Sequence, residues 1–165
     1  MKITAVKIGA ALLLAGLMST AFAADEVFTT QDGAIRGYDP VAYHEDGKAV
    51  KGDKAITLTW NGAEWHFATE AHRDAFKAAP ERYAPRYGGY CAYGTANGYK
   101  VSTDPNAFAI VDGTLYLNYN AAVQTTWNGD RTKYIGTADR NWQTLEHTAY
   151  VPGPAASGES DKPAK

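Results

Sequence analysis

Four side chains in this sequence could hold a metal ion or work as nucleophile and base: His44, His66, His72 and Cys91. Imidazole nitrogen and thiolate sulfur together suit copper or zinc, and a thiolate with a histidine base nearby is the minimum needed for thiol chemistry. The spacing selects neither. The intervals 44 to 66 and 66 to 72 match no HxxxH or CxxC pattern, so a metal centre would have to be assembled by folding. Cys91 has no second cysteine to resolve a disulfide, and no Asp or Asn is placed by sequence to orient a base for it. Behind the Gly88-Gly89-Tyr90 bend it reads equally as a small apolar residue in the interior. Both methionines, Met1 and Met18, lie near the start, which removes a Met-rich copper(I) site from the rest of the chain.

Each histidine also has a plainer reading. His72 falls on the apolar stripe of an expected helix, where a backbone carbonyl or a Tyr hydroxyl would satisfy a core imidazole. His66 shares a strand face with Thr57, Thr59 and Glu64, which reads as a solvated face. His44, beside Glu45 and Asp46 and ahead of Gly47, reads as a turn residue, and His147 as an exposed one. A third chemistry needs no metal. Tyr83, Tyr87, Tyr90, Tyr93 and Tyr99 could line a small-ligand pocket or a protein interface, or could build the core of a domain without disulfides.

The elements that must position these groups show in local patterns. Asn61-Gly62 between two alternating runs predicts a type I′ hairpin joining about 55–60 with 63–68. Ile56, Leu58 and Trp60 then share a face with Ala63, Trp65 and Phe67. Thr69 should cap a helix that carries His72, Ala75, Phe76 and Ala79 on its buried stripe and ends before Pro80. Asp112-Gly113 predicts a second hairpin, about 107–111 with 114–118, whose apolar face is Phe108, Ile110, Leu115 and Leu117. Helices over about 121–128 and 131–145 follow, behind Asn120 and Asp130.

Length and composition set the frame. The 165 residues, 45% hydrophobic and 21% charged, suit one domain. A formal net charge of -2, with no long basic run, argues against nucleic acid as a partner. No phosphate-loop or dinucleotide-binding pattern occurs. Lys2 and Lys7, the apolar run Ile8 to Met18 and Ala21-Phe22-Ala23 form a signal-peptide pattern, so residues 1–23 are expected to be removed and the protein to be periplasmic or secreted, with no membrane segment afterwards. Residues 24–36 read as a leader, 37–148 as the domain, and 149–165, rich in Pro, Gly and Ser, as a disordered tail.

Several segments of that domain resemble the YHS domain family in its small exported bacterial form. They are Gly37-Tyr38-Asp39-Pro40-Val41-Ala42-Tyr43, Trp60-Asn61-Gly62, Phe67-Ala68-Thr69 leading to Arg73-Asp74-Ala75-Phe76, Pro80-Glu81-Arg82-Tyr83, Gly88-Gly89-Tyr90-Cys91 and Leu115-Tyr116-Leu117-Asn118. The resemblance implies a small α+β single domain of antiparallel hairpins packed against short helices, YHS- or TRASH-like. It also implies heavy-metal binding or trafficking, copper or zinc, by a non-enzymatic protein. The family's metal-associated branch places cysteines in patterns resembling Asp-Pro-Val-Cys and Phe-Cys-Ser, with a further Cys beyond. Here Ala42, Ala68 and His72 stand at those positions. The alternative is a module that binds a small ligand or a periplasmic protein through its tyrosines.

Overall fold

A computed structural model describes residues 25–151. The expected signal peptide, residues 1–23, lies outside the described residues, as do residues 152–165 of the expected tail.

The chain opens with β1 (Thr29–Thr30) and β2 (Gly33–Ala34), a miniature antiparallel hairpin, and one 3-10 turn at Ile35–Gly37. α1 (Pro40–Glu45) starts at Pro40, whose fixed φ suits the first helical position, behind the N-cap Asp39. β3 (Asp53–Trp60) and β4 (Ala63–Phe67) pair through Trp60 with Ala63 and Leu58 with Trp65. Asn61 and Gly62 have φ of 48° and 71°, the left-handed pair that a type I′ turn needs. Thr69 then caps α2 (Glu70–Ala78), its Oγ1 accepting from His72 N at 3.1 Å. α3 (Pro80–Tyr83) and α4 (Ala92–Ala96) lead to β5 (Asp104–Val111) and β6 (Thr114–Asn118), joined at Asp112-Gly113. α5 (Ala121–Asn128) and α6 (Arg131–Leu145) begin at Asn120 and Asp130, whose side chains accept from Val123 N and Lys133 N. The result is a small α+β domain with three two-stranded antiparallel sheets among the described residues.

Two aromatic clusters hold it together. The first gathers Trp65, Phe67 and Phe76 with Tyr43, Leu115 and Leu117, and the second gathers Tyr87, Tyr116, Trp127 and Ala138. β6 serves both, because alternate side chains of one strand point to opposite faces. This alters the expected face of the second hairpin. Ile110 is 37% exposed, whereas Tyr116, on the opposite face to Leu115 and Leu117, is buried. α5 and α6 cover that second face, and a two-sided strand cannot be told from a one-sided one by alternation alone. On α2 the expected stripe narrows to Phe76, the one fully buried member.

The leader is also corrected. Val27 and Phe28 are buried, Phe28 N donates to Gly88 O at 2.9 Å, and the Phe28 ring meets Tyr90 and Tyr150. Composition reads residues 24–36 as a leader, yet the pairs Val27-Phe28 and Ala34-Ile35 are buried in the domain. The two ends of the described chain meet: Tyr150 N donates to Asp25 Oδ2 at 2.7 Å. Lys100 Nζ donates to the carbonyls of Asp25 and Thr148 while lying 5.0 Å and 5.4 Å from the ring centres of Tyr90 and Trp142.

Candidate functional site

The surroundings of His72 are organised by Asp39. As an N-cap, Asp39 turns one carboxylate oxygen onto the start of α1, accepting from Val41 N at 2.8 Å and Ala42 N at 3.3 Å. Its other oxygen accepts from Ala68 N at 2.8 Å and from His72 Nδ1 at 2.6 Å. Asp39 is fully buried, so these four donors replace the water the carboxylate has lost. His72 Nδ1 therefore carries a proton, and Nε2 is the ring nitrogen left for a ligand, in a side chain 17% exposed. Asp39 was visible in sequence as the residue before Pro40. Its reach to an imidazole 33 positions on was not.

The resemblance placed cysteine positions at 42, 68 and 72, and the fold brings those three residues together around Asp39. Two of them, Ala42 and Ala68, supply methyl groups where a thiolate site needs sulfur.

The other candidates stay apart. His66 is only 3% exposed, not solvated: β2 and the turn after it lie over its face, with Gly33, Gly37 and Gly52 against it. A Cβ at Gly52 would stand 2.5 Å from the His66 carbonyl carbon. His66 Nε2 bonds Glu64 Oε1 at 2.8 Å, and its Nδ1 has no partner. His44 lies in α1 rather than in a turn, edge-on to Tyr83 with ring centres 5.5 Å apart. Burial holds its pKa below the usual histidine value. Among the described residues no three His, Cys, Asp or Glu side chains are grouped to hold a metal ion.

Cys91 is 1% exposed and caps α4, its Sγ accepting from Gly94 N at 3.4 Å and lying 3.8 Å from Asn118 Oδ1. Burial pushes the thiol pKa up, against a smaller downward pull from the Gly94 N–H. A nucleophilic thiolate needs the opposite. Iodoacetamide at pH 7.5 should therefore modify native Cys91 roughly a hundredfold or more slowly than the unfolded chain, since a stable fold opens rarely. Equal rates, followed by intact mass, would show an accessible thiolate.

The tyrosine cluster belongs mostly to the interior. Tyr83, Tyr87 and Tyr90 are buried, Tyr93 meets Tyr134 edge-on, and Tyr99 alone of the five is exposed, at 50%. Two other tyrosines, Tyr38 and Tyr119, border a groove of about 460 Å³. Arg36 and Lys51 stand with Tyr38, Asn120 stands with Tyr119, and the segment Ser102–Asn106 completes the lining. That segment is held from three sides: Tyr43 Oη donates to Pro105 O at 3.0 Å, Thr103 Oγ1 to Gly89 O at 3.0 Å, and Arg36 Nε to Thr103 O at 2.9 Å. The lining comes from separate stretches of chain, and no local pattern marks it.

Residues 41–87 match the family model of the YHS domain. No curated protein and no solved structure matches the chain.

Proposed function

We propose, from the match of residues 41–87 to the YHS domain model and from the groove, that the protein is an exported, non-catalytic module that binds a small ligand in the groove beside Arg36, Tyr38 and Lys51. The observation that carries this reading is the groove itself. Its volume of about 460 Å³ lies within the span of small-molecule sites, and its walls combine two aromatic rings with a few fixed polar groups. Buried Ser102 and Thr103, the hydrogen bonds that the Thr103 and Pro105 carbonyls accept from Arg36 and Tyr43, and the one that Thr103 Oγ1 donates to Gly89 O favour a pre-formed site, which spares a ligand the entropy of ordering that segment.

The copper or zinc role implied by the family does not fit the residues present. Structural zinc sites take four protein ligands and catalytic ones three. Here the positions that converge on Asp39 offer one imidazole and two methyl groups, and the other histidines and Cys91 are elsewhere. No step is therefore assigned to a metal.

Fragment screening by amide chemical shift, on the mature chain, tests the reading. Hits should displace resonances of Tyr38, Thr103, Asn106 and Tyr119. Asn106→Trp, which adds a bulky ring at an exposed rim position, should remove them without changing the fold. Hits scattered over the surface, or stoichiometric Zn(II) or Cu(I) binding abolished by His72→Ala, would overturn it.

A further inference from the structure

A second and much smaller pocket lies where the N-terminal segment, the first hairpin and the end of α6 meet, and it shares no lining residue with the groove. Its volume is about 120 Å³, and three of the four tryptophans in the chain, Trp60, Trp65 and Trp142, line it together with Glu26, Pro85 and Glu146. Whole small molecules occupy sites of about 300–1,000 Å³, so a pocket of this size takes a head group rather than a complete ligand. Its walls are fixed by the fold. Trp65 Nε1 donates to Trp60 O at 3.0 Å, the two ring centres lie 6.0 Å apart, and Trp60 stands edge-on to Phe76. Trp65 is 1% exposed, which makes it the floor. Trp142 packs on Tyr87 and Tyr90, and Glu146, four residues further on, shares its helix face. Glu26 comes from the segment pressed against Gly88, its carbonyl oxygen lying 1.8 Å from where a Gly88 Cβ would stand.

The electrostatics of these walls favour a cation. The face of an aromatic ring is negative, and indole attracts a cation best of the three ring types. Both titratable residues in the lining are carboxylates, and no Lys, Arg or His stands among the lining residues. Glu26 is exposed, and Glu146 pairs with His147 Nε2 at 3.3 Å in a contact open to solvent. The cation nearby is Lys100, outside the lining. Its Nζ lies 5.4 Å from the Trp142 ring centre and donates to the carbonyls of Asp25 and Thr148, not to a carboxylate. Burial draws the Lys100 pKa below the usual lysine value, and Asp25, Glu26 and Glu146 together oppose that. One ammonium is thus set against three carboxylates.

We infer that this pocket binds a trimethylammonium head group, its methyl groups on Trp60, Trp65 and Trp142 and its charge toward Glu26 and Glu146. The inference goes beyond the groove and does not depend on it. A quaternary ammonium suits these walls better than a primary one. It carries no N–H to leave unsatisfied on leaving water, and its charge is spread over methyl groups that pack on rings as apolar surface does. The carboxylates at the rim add long-range attraction without having to touch the cation.

The experiment compares choline with its uncharged isostere, in which a tert-butyl group replaces trimethylammonium, and with ethanolamine, the primary amine. Binding to the mature protein is followed by calorimetry and by amide and indole N–H shifts. Choline should bind about tenfold or more tightly than either, with the largest shifts at Trp60 and Trp142. Trp60→Leu and Trp142→Leu keep an apolar side chain and remove the ring, so each should weaken choline about fivefold or more. Glu26→Gln, at an exposed position, should weaken it about two- to fivefold and flatten its salt dependence, since exposed charges are screened. Glu81→Gln, exposed on α3, is the control and should change nothing. Circular dichroism checks each variant; where a tryptophan variant does not fold, the isostere comparison and Glu26→Gln decide. Co-sedimentation with phosphatidylcholine but not phosphatidylglycerol vesicles assigns the head group to a lipid, and choline binding without it assigns a free small cation. Equal binding of choline and the isostere, choline shifts centred on other residues, or unchanged choline affinity in the folded variants would each overturn the inference.

Discussion

Asp39→Ala should lower folding stability by about 3–5 kcal/mol, read as a shift in the urea midpoint of the mature protein. The magnitude follows from what one carboxylate does. It caps α1 through Val41 N and Ala42 N, ties that helix to the start of α2 through Ala68 N, and braces His72, all from a position without solvent. Removing it leaves several donors buried and unsatisfied at once, which costs more than an ordinary helix cap, worth about 1 kcal/mol. Thr69→Ala, which removes a cap on the exposed side of α2, supplies that smaller reference. Asp39→Asn keeps the volume and one acceptor oxygen, so its loss should fall between the two. In a double-mutant cycle, His72→Ala should cost much less on the Asp39→Ala background than in the native chain, because the 2.6 Å bond exists only with both partners. Additive losses, or an Asp39→Ala effect no larger than that of Thr69→Ala, would show that the carboxylate is not the hub of these elements.

Gly88→Ala should cost about 3 kcal/mol or more, by a different mechanism. Gly88 has φ of 59°, and a Cβ there would stand 1.8 Å from the Glu26 carbonyl oxygen and 2.9 Å from its carbon. A backbone carbonyl cannot swing aside as a flexible side chain would. The N-terminal segment would have to move, breaking the Phe28 N to Gly88 O bond and disturbing Phe28 in its pocket. Gly62→Ala separates strain from collision, since Gly62 has φ of 71° and nothing within 4 Å of the added carbon. That variant should lose about 1 kcal/mol, the conformational part alone. Equal denaturant midpoints for the two variants would mean that the segment at Glu26 does not pack on Gly88.

What could be read from sequence divides along the same line as these two positions. Asn61-Gly62, Asp112-Gly113, Thr69, Asn120 and Asp130 act within a few residues of themselves, and the hairpins and helices they imply occur where expected. Residues whose roles depend on distant chain were misjudged. His66 looked solvated because the strand carrying it alternates, and nothing near it announces that Gly33, Gly37 and Gly52 close over that face. His72 was singled out by its stripe, but its partner proved to be a carboxylate from another helix start rather than a carbonyl or a phenol. The groove was missed altogether. Tyr38 and Tyr119 meet only after folding, and Arg36 reaches Thr103 through a backbone conformation that an arginine gives no sign of adopting.

The meeting of Asp25 with Tyr150, and of both ends with Lys100, bears on the order of events during synthesis. These contacts join the first described residues to the last described ones, so the N-terminal segment has its partners only once residues 148–150 have been made. Phe28 waits for Tyr150 to cover it, and Lys100 for Thr148. Closing the N-terminal segment thus means closing a loop of 125 positions between Asp25 and Tyr150, an entropic cost that the short hairpins do not carry.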